Sequence, residues 1–451
     1  MRCIWAVARN TIKQAFRMKI AIVFIVLLLV LLPVLGFTTT GDETLKGRLQ
    51  TFMSYGLSLT SFLLCILTIS ISTYSVTNDI KERQIFTIIT KPIRRFQFLL
   101  GKLLGVILFD IVLLFIFSII IYANTVNMPR FYDATEQELV QADNEFYTAR
   151  EGLAMPAVDV SEDVQRMYEQ LEKNDELPDH LTRNEIIAEL TRQMQVASRV
   201  ADIGRWMVWE FENVKPLAES LFIRFKYEVL QDPFYDQITS RWVIGDPHTI
   251  RTGEMVKTPI YDGYHRNPVD TFNEIEVSAE VVPEHGRLAV LFLNDASNNT
   301  VIMFPQDGLE VLFKAGSFSG NFFRAVLLIL SRLIFLACLS ILASSFLSFP
   351  VAMLLCFVIF FTANFSGFFL ESFGYLSRTA GIFYTYSIKL VIQLLPQFDK
   401  FNPTSFLVSA RLVSWYFLIR CFLIMVGIKA FLLLILSFVV FGYREIAKII
   451  V

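Results

Sequence analysis

Two ionisable residues stand inside apolar runs of this chain: Asp110 within 98–122 and Arg332 within 322–346. A charge at the centre of a bilayer costs of order 2.5–3.5 kcal/mol on insertion scales, which makes each a functional candidate. At a helical rise of about 1.5 Å per residue, Asp110 lies roughly 18 Å into its run and Arg332 roughly 15 Å into its own. In a hydrocarbon core of about 30 Å the two share a depth. The expectation is an ion pair between adjacent helices, structural rather than a substrate site. Other chemistry is sparse. His180, His248, His265 and His285 form no pair at i, i+3 or i+4, so no metal site is expected. The chain has no GxxxxGK[ST] loop, no HExxH and no serine nucleophile elbow. It therefore nominates no catalytic residue and no cofactor of its own, and energy for any transport would come from a partner.

The stretch 78–105, NDIKERQIFTIITKPIRRFQFLLGKLLG, is basic and amphipathic and lies between two long apolar runs. Ile85, Phe86, Ile88 and Ile89 make an apolar ridge among Glu82, Arg83, Gln84 and Lys91, and Pro92 stops it ahead of Arg94 and Arg95. A short helix ending near Pro92 would lie at the membrane surface and offer one face to a soluble protein. Its six cations would equally anchor a loop to lipid headgroups. Composition leaves both readings open.

The elements that must position these residues follow from the apolar runs. With 54% hydrophobic residues and a mean hydropathy of +0.52, the chain exceeds what a soluble core requires. Runs at 20–37, 52–76, 98–122, 322–346, 351–370 and roughly 423–441 each approach the ~20 residues a spanning helix needs, giving six spans. The first run lacks a small-residue cleavage site and follows a 19-residue lead, so it reads as retained. In that lead Trp5, Ala8, Ile12 and Phe16 share one helical face and Arg2, Arg9, Lys13 and Arg17 the next. That pattern suits a helix on an anionic leaflet, or a plain positive flank. Lys and Arg cluster before the first run, in 81–102 and after the last, which places both termini and the basic loop in the cytoplasm. The segment 382–395 is too short and polar to span easily. Within 371–415 it is expected to be interfacial or re-entrant, with Lys389, Arg411, Arg420 and Lys429 reaching the outer headgroups. A seventh span there would instead put the C-terminus outside.

Residues 127–318 differ in kind. They hold 34 of the 42 acidic and 17 of the 40 basic residues, a formal charge of −17, while the remainder of the chain carries +15. An acidic external surface disfavours nucleic acid. Thr135 with Glu138, and Thr182 with Glu185, have capping-box spacing and predict helix starts. From Leu221 the period becomes two: Ile223, Phe225, Tyr227 and Val229 alternate with polar residues, as do Ile275, Val277, Ala279 and Val281. Short apolar runs at 242–244, 288–293, 301–304 and 309–313 complete the pattern of an antiparallel sandwich. All five cysteines lie outside this region, so no disulfide framework holds it. The fold class expected is a polytopic α-helical membrane protein of six transmembrane helices with an extracytoplasmic α+β domain, one half of it an antiparallel β-sandwich. The division is 1–126 with a cytoplasmic loop at 77–97, 127–318, and 319–451.

The string Glu82-Arg83, Ile85-Phe86-Thr87, Thr90-Lys91-Pro92-Ile93-Arg94-Arg95, Phe98-Leu99-Leu100-Gly101-Lys102 and Gly105 resembles the loop between the second and third spans of ABC-2 type transporter permeases. It is most similar to the branch that includes the nitrous-oxide-reductase maturation permease. The resemblance implies that Glu82, Arg83, Ile85, Phe86, Ile89, Lys91, Pro92, Arg94 and Arg95 form a coupling helix seated on an ATP-binding subunit. It also implies that Gly101 and Gly105 are helix-packing glycines. ATP and Mg would be bound by that subunit, and a second permease copy or paralogue and membrane lipids would complete the assembly in the inner membrane. The large insert at 127–318 departs from the compact pattern and leaves room for an external partner. The rival expectation is a membrane-anchored interaction protein whose external domain binds a glycan or protein. An intramembrane enzyme lacks paired catalytic residues.

Overall fold

Long apolar runs become helices, two of them, at 37 residues each, long enough to outlast a bilayer core of about 30 Å. The computed structural model describes residues 2–82, 94–132, 134–174, 177, 182–229, 236–252, 258–372 and 395–443. Contacts divide the chain into two compact units, Met1–Ala149 with Ser317–Val451, and Arg150–Gly316.

The first unit is helical. Helix α1 (Arg2–Arg17) is followed by α2 (Lys19–Thr38), α3 (Leu45–Lys81), α4 (Arg95–Phe131) and α5 (Glu136–Glu145). At about 1.5 Å per residue, the 37 residues of α3 and of α4 run roughly 55 Å each. The Thr135 hydroxyl accepts from the Glu138 amide at 3.3 Å while the Glu138 carboxylate accepts from the Thr135 amide at 3.0 Å, so α5 starts at the expected capping box. This helix packs through Ala142 into the same core as the spans, so 127–149 belong with the helical unit rather than with the domain that follows.

Helix α9 (Phe318–Phe346) is the most enclosed span, and α10 (Phe349–Asn364), α11 (Ser366–Ser372), α12 (Pro403–Val408) and α13 (Trp415–Tyr443) come after it. Among the described residues five helices are long and apolar enough to cross a membrane: α2, α3, α4, α9 and α13. The run expected at 351–370 differs. There α10 has 16 residues, the helix breaks at Phe365, and Ser366 starts α11. The reason is a tertiary contact: Asp399 accepts from the Ser366 hydroxyl at 2.6 Å and the Gly367 amide at 2.5 Å, rewarding a fresh helix start at this point. Residues 373–394, including Lys389 and most of 382–395, lie outside the described residues. After them Lys429 donates to the Leu395 carbonyl at 2.7 Å.

The second unit contains α6 (Ser161–Lys173), α7 (Arg183–Ala197) and the short α8 (Pro247–Thr252). Thr182 and Glu185 form the other expected capping box at the start of α7. Eleven strands follow in chain order among the described residues: β1 (Thr148–Ala154), β2 (Val200–Ala201), β3 (Trp206–Phe211), β4 (Ser220–Phe225), β5 (Glu228–Val229), β6 (Gln237–Gly245), β7 (Tyr261–Pro268), β8 (Asn273–Ser278), β9 (Leu288–Asn294), β10 (Ile302–Met303) and β11 (Leu309–Ser317). They make a sheet of order β1-β11-β4-β8, another of order β3-β9-β6-β7, and a small β2-β10-β5 sheet. Strands β11, β4 and β8 pair antiparallel, as do β3, β9, β6 and β7, with Ile223 opposite both Val311 and Ile275, and Trp242 opposite Phe292.

One hydrophobic core joins the two larger sheets. Ile223, Phe225, Ile275 and Val311 come from the first, and Trp242, Val290 and Phe292 from the second. Trp242 is fully buried, its ring centroid 4.5 Å from Phe225 and 5.0 Å from Phe292. Two strand expectations need correction. The 221–229 run breaks between β4 and β5, because Tyr227 turns into the core while its carbonyl accepts from Asp270. The alternation at 275–281 ends at Ser278, whose hydroxyl caps a 3-10 turn over Ala279–Val281.

Candidate functional site

Helix α3 ends at Lys81, where the Glu82 amide still donates to the Asn78 carbonyl at 2.8 Å, and α4 begins at Arg95. Between them lie residues 83–93, so Arg83, Ile85, Phe86, Ile89, Lys91 and Pro92 fall outside the described residues. What surrounds the loop is well defined.

The ends of the two helices are tied together by a buried polar triad. Asp79, two residues before the end of α3, places Oδ2 2.6 Å from the Lys102 ammonium of α4. Gln14 of α1 closes the set: its amide nitrogen donates to Asp79 Oδ1 at 3.1 Å, and its carbonyl oxygen accepts from Lys102 Nζ at 3.0 Å. Asp79 and Lys102 are 1% and 0% exposed. A buried charge pair is tolerated only where the remaining donors and acceptors are met, and the Gln14 amide supplies one of each. Lys102 also lies 5.5 Å from the Phe98 ring centroid. Sequence reasoning missed this triad, reading Lys102 as one of six surface cations.

Small residues let α1 come this close. A Cβ on Gly101 would stand 2.6 Å from Val7 Cβ, and one on Gly105 would stand 2.7 Å from the Ala8 carbonyl oxygen and 2.7 Å from Thr11 Cβ. The two glycines, four apart, therefore form a groove on α4 that α1 fills with Val7, Ala8, Thr11 and Ala15, all buried. The sequence expected a helix lying on a leaflet through Trp5, Ala8, Ile12 and Phe16. Of that face Ala8 is buried against α4, Trp5 is exposed, and Phe16 is half exposed, edge-on to Phe109.

The start of α4 is tied to the last span as well. Arg95 Nη1 donates to the Gly442 carbonyl at 2.7 Å and to the Phe441 carbonyl at 3.3 Å. Both carbonyls belong to the last described turn of α13. Phe98 stacks on Phe441 with centroids 6.1 Å apart. Arg94, exposed, has its amide satisfied by the Gln97 side chain at 3.2 Å. On the other side of α3, a cleft of about 360 Å³ is lined by Tyr74, Asn78, Lys81, Ser348 and Phe349. The loop base thus touches four helices: α1, α3, α4 and α13.

Deeper in the bundle, the expected Asp110–Arg332 pair is not formed: no ion pair joins them among the described residues. Asp110 is 1% exposed and its two oxygens have no hydrogen-bond partner among the described residues. The Arg332 guanidinium turns the other way, donating from Nη2 to the Phe398 carbonyl at 3.0 Å and lying 4.8 Å from that ring's centroid. Equal depth had suggested the pair, but each helix's rotation about its own axis aims the two side chains at different neighbours.

No curated protein and no solved structure matches the chain. Residues 15–140 match a family model described as ABC-2 family transporter protein, a stretch that holds α2, α3, the 83–93 loop, α4 and both charges of the triad. With five helices long and apolar enough to cross a membrane, that match makes the chain a multi-pass membrane protein, similar over this stretch to ABC-2 family transporter proteins.

Proposed function

We propose that the chain is the transmembrane subunit of an ABC-2 type transporter, moving a substrate with ATP hydrolysed on a separate subunit. The observation that carries this reading is the match over 15–140, coinciding with a loop whose two ends are locked together by Asp79 and Lys102. The loop would face the cytoplasm and its segment 82–95 would seat on the ATP-binding subunit, with Phe86 and Ile89 as its apolar contact and Arg94 as its exposed charge. The cleft beside Lys81 and Ser348 supports the reading as a second place for that subunit to grip. A push on the loop would pass through the triad to α1 and through Arg95 to the last span. ATP and Mg would act on the partner, a second permease copy would complete the pore, and the acidic second unit would stand outside.

The test is detergent pull-down of the intact protein, wild type against Phe86→Asp and Arg94→Glu, with identification of what co-purifies and an ATPase assay. An ATP-binding protein retained by wild type and lost in both variants is the expected result. If no ATPase associates with folded wild type, the reading fails, and the second unit, which has its own core, becomes the place to look for an anchored binding function.

A further inference from the structure

The unpaired charge at Arg332 lines a cavity of about 540 Å³ between α3, α9, α10 and the segment leading into α12. That size lies in the range of small-molecule sites and far exceeds the ~30 Å³ share of one water. Arg332 is 9% exposed and carries five N–H donors, of which one is committed, to the Phe398 carbonyl. No carboxylate lies within ion-pair distance of it among the described residues. Asp399 lines the same cavity but is occupied with the Ser366 hydroxyl and the Gly367 amide. Ser58, Asn364 and Thr404 add neutral donors around the guanidinium, and Phe62 and Phe360 form an apolar wall. Phe62 is 41% exposed on the flank of α3, and Phe361 beside it is exposed too. The cavity therefore joins a buried cation to an apolar outer surface.

We propose that this cavity binds an anionic amphiphile, with the phosphate of its headgroup on Arg332 and its acyl chains along Phe62 and Phe361. A planar guanidinium suits a phosphate because two parallel N–H donors meet two oxygens. Asp399 acts on the Arg332 charge from across the cavity without touching it; a buried cation with no direct anionic contact is costly, and a phosphate supplies that contact while the chains keep to lipid. Binding stands on the cavity alone; that the amphiphile is transported cargo rests on the permease reading.

The full-length protein is purified into nanodiscs of phosphatidylcholine with one-tenth phosphatidylglycerol, and the lipids surviving progressive delipidation are counted by native mass spectrometry. Wild type is expected to retain phosphatidylglycerol at about fivefold over its share or more. Arg332→Gln is expected to lose that enrichment, and Arg332→Lys to keep part of it. Ser58→Trp, which fills the cavity and leaves the guanidinium intact, is expected to lose it too, so the proposal stays testable if Arg332→Gln does not fold. Equal retention of both lipids by wild type, or enrichment unchanged in Ser58→Trp, overturns the proposal. A parallel arm adds inorganic phosphate: if phosphate alone displaces all retained lipid and protects the fold as well as the lipid does, the site takes free anions and the amphiphile is refuted. None of these readouts needs an ATPase, so failure of the pull-down and failure here are distinguishable.

Discussion

Replacing Lys102 by methionine keeps most of the side chain's volume and removes its charge, which leaves Asp79 at 1% exposure with only the Gln14 amide beside it. Removing one partner of a buried ion pair typically costs about 3–5 kcal/mol, because an uncompensated charge stays behind. Asp79→Leu strands the ammonium in the same way and should cost a similar amount. The double variant Asp79→Leu/Lys102→Met strands nothing and places two apolar groups in the space, a change often neutral or stabilising by about 1–4 kcal/mol. Gln14→Leu leaves the 2.6 Å pair in place but removes two hydrogen bonds to charged groups, each worth about 1.5–3 kcal/mol, so its cost should be about 3–6 kcal/mol, comparable to that of either single variant. The assay is unfolding of the purified full chain in mixed micelles, read as a double-mutant cycle. Single costs that simply add in the double variant, or a Lys102→Met cost under about 1 kcal/mol, would refute a buried, mutually dependent pair. A functional arm uses the same proteins. If the triad carries movement from the loop, the double variant folds as wild type does yet loses coupling to the co-purified ATPase.

The α1–α4 groove and the second unit supply two more expectations. Gly101→Val and Gly105→Val each drive a side chain into space already held by Val7 or by Ala8 and Thr11. The overpacking should cost about 1–3 kcal/mol and expose Lys13 to trypsin, whereas unaltered protection of Lys13 would count against the groove. In the second unit, burial holds His265 below its ordinary 6.5, its ring nitrogen 2.6 Å from the Tyr261 hydroxyl. The neutral ring is thus the form that folding favours: its contribution is complete above 6.5, declines as the pH drops below that value, and is gone once the pH passes the folded value. Melting curves from pH 7.5 down to 5 should therefore fall more steeply for wild type than for His265→Gln; parallel curves would refute the assignment.

Spans were readable because length and apolarity suffice to call them, and five of the six expected runs are helices long enough to cross. The sixth depended on a tertiary contact: Asp399, about thirty residues away, begins a new helix at Ser366, and no apolar count can register that. The same contrast holds among the strands. Strand β6 shows a buried alternation in Ile238, Trp242 and Ile244, while β7 reads Tyr-Asp-Gly-Tyr-His-Arg-Asn-Pro and has no apolar face of its own. It is a strand because β6 offers it a ladder from Gln237 to Ile244, with Arg241 held to Asp262 at 2.6 Å across the pair. An edge strand borrows its conformation from a neighbour, so its own residues need not announce it.

The site follows the same logic one level higher. Depth in the membrane is a one-dimensional quantity that sequence gives well, and it put Asp110 and Arg332 level. Pairing also needs each helix's rotation, which is fixed by what the rest of that helix must bury. On α4 the decisive residues are Gly101 and Gly105: they aim one face at α1, and Lys102, next to Gly101 in sequence, is carried into the junction where α1 and α3 meet. A lysine flanked by a small-xxx-small pair, seven residues inside an apolar helix, is the signal that could have located it. Such a pair marks a face where another helix approaches closely, and a cation beside that face has no water to reach. The counter-charge then has to come from the incoming elements. Asp79, the last acidic residue of α3, and Gln14 on α1 are where it is found, which makes the same contacts that exclude water from Lys102 the ones that bind the loop's two ends together.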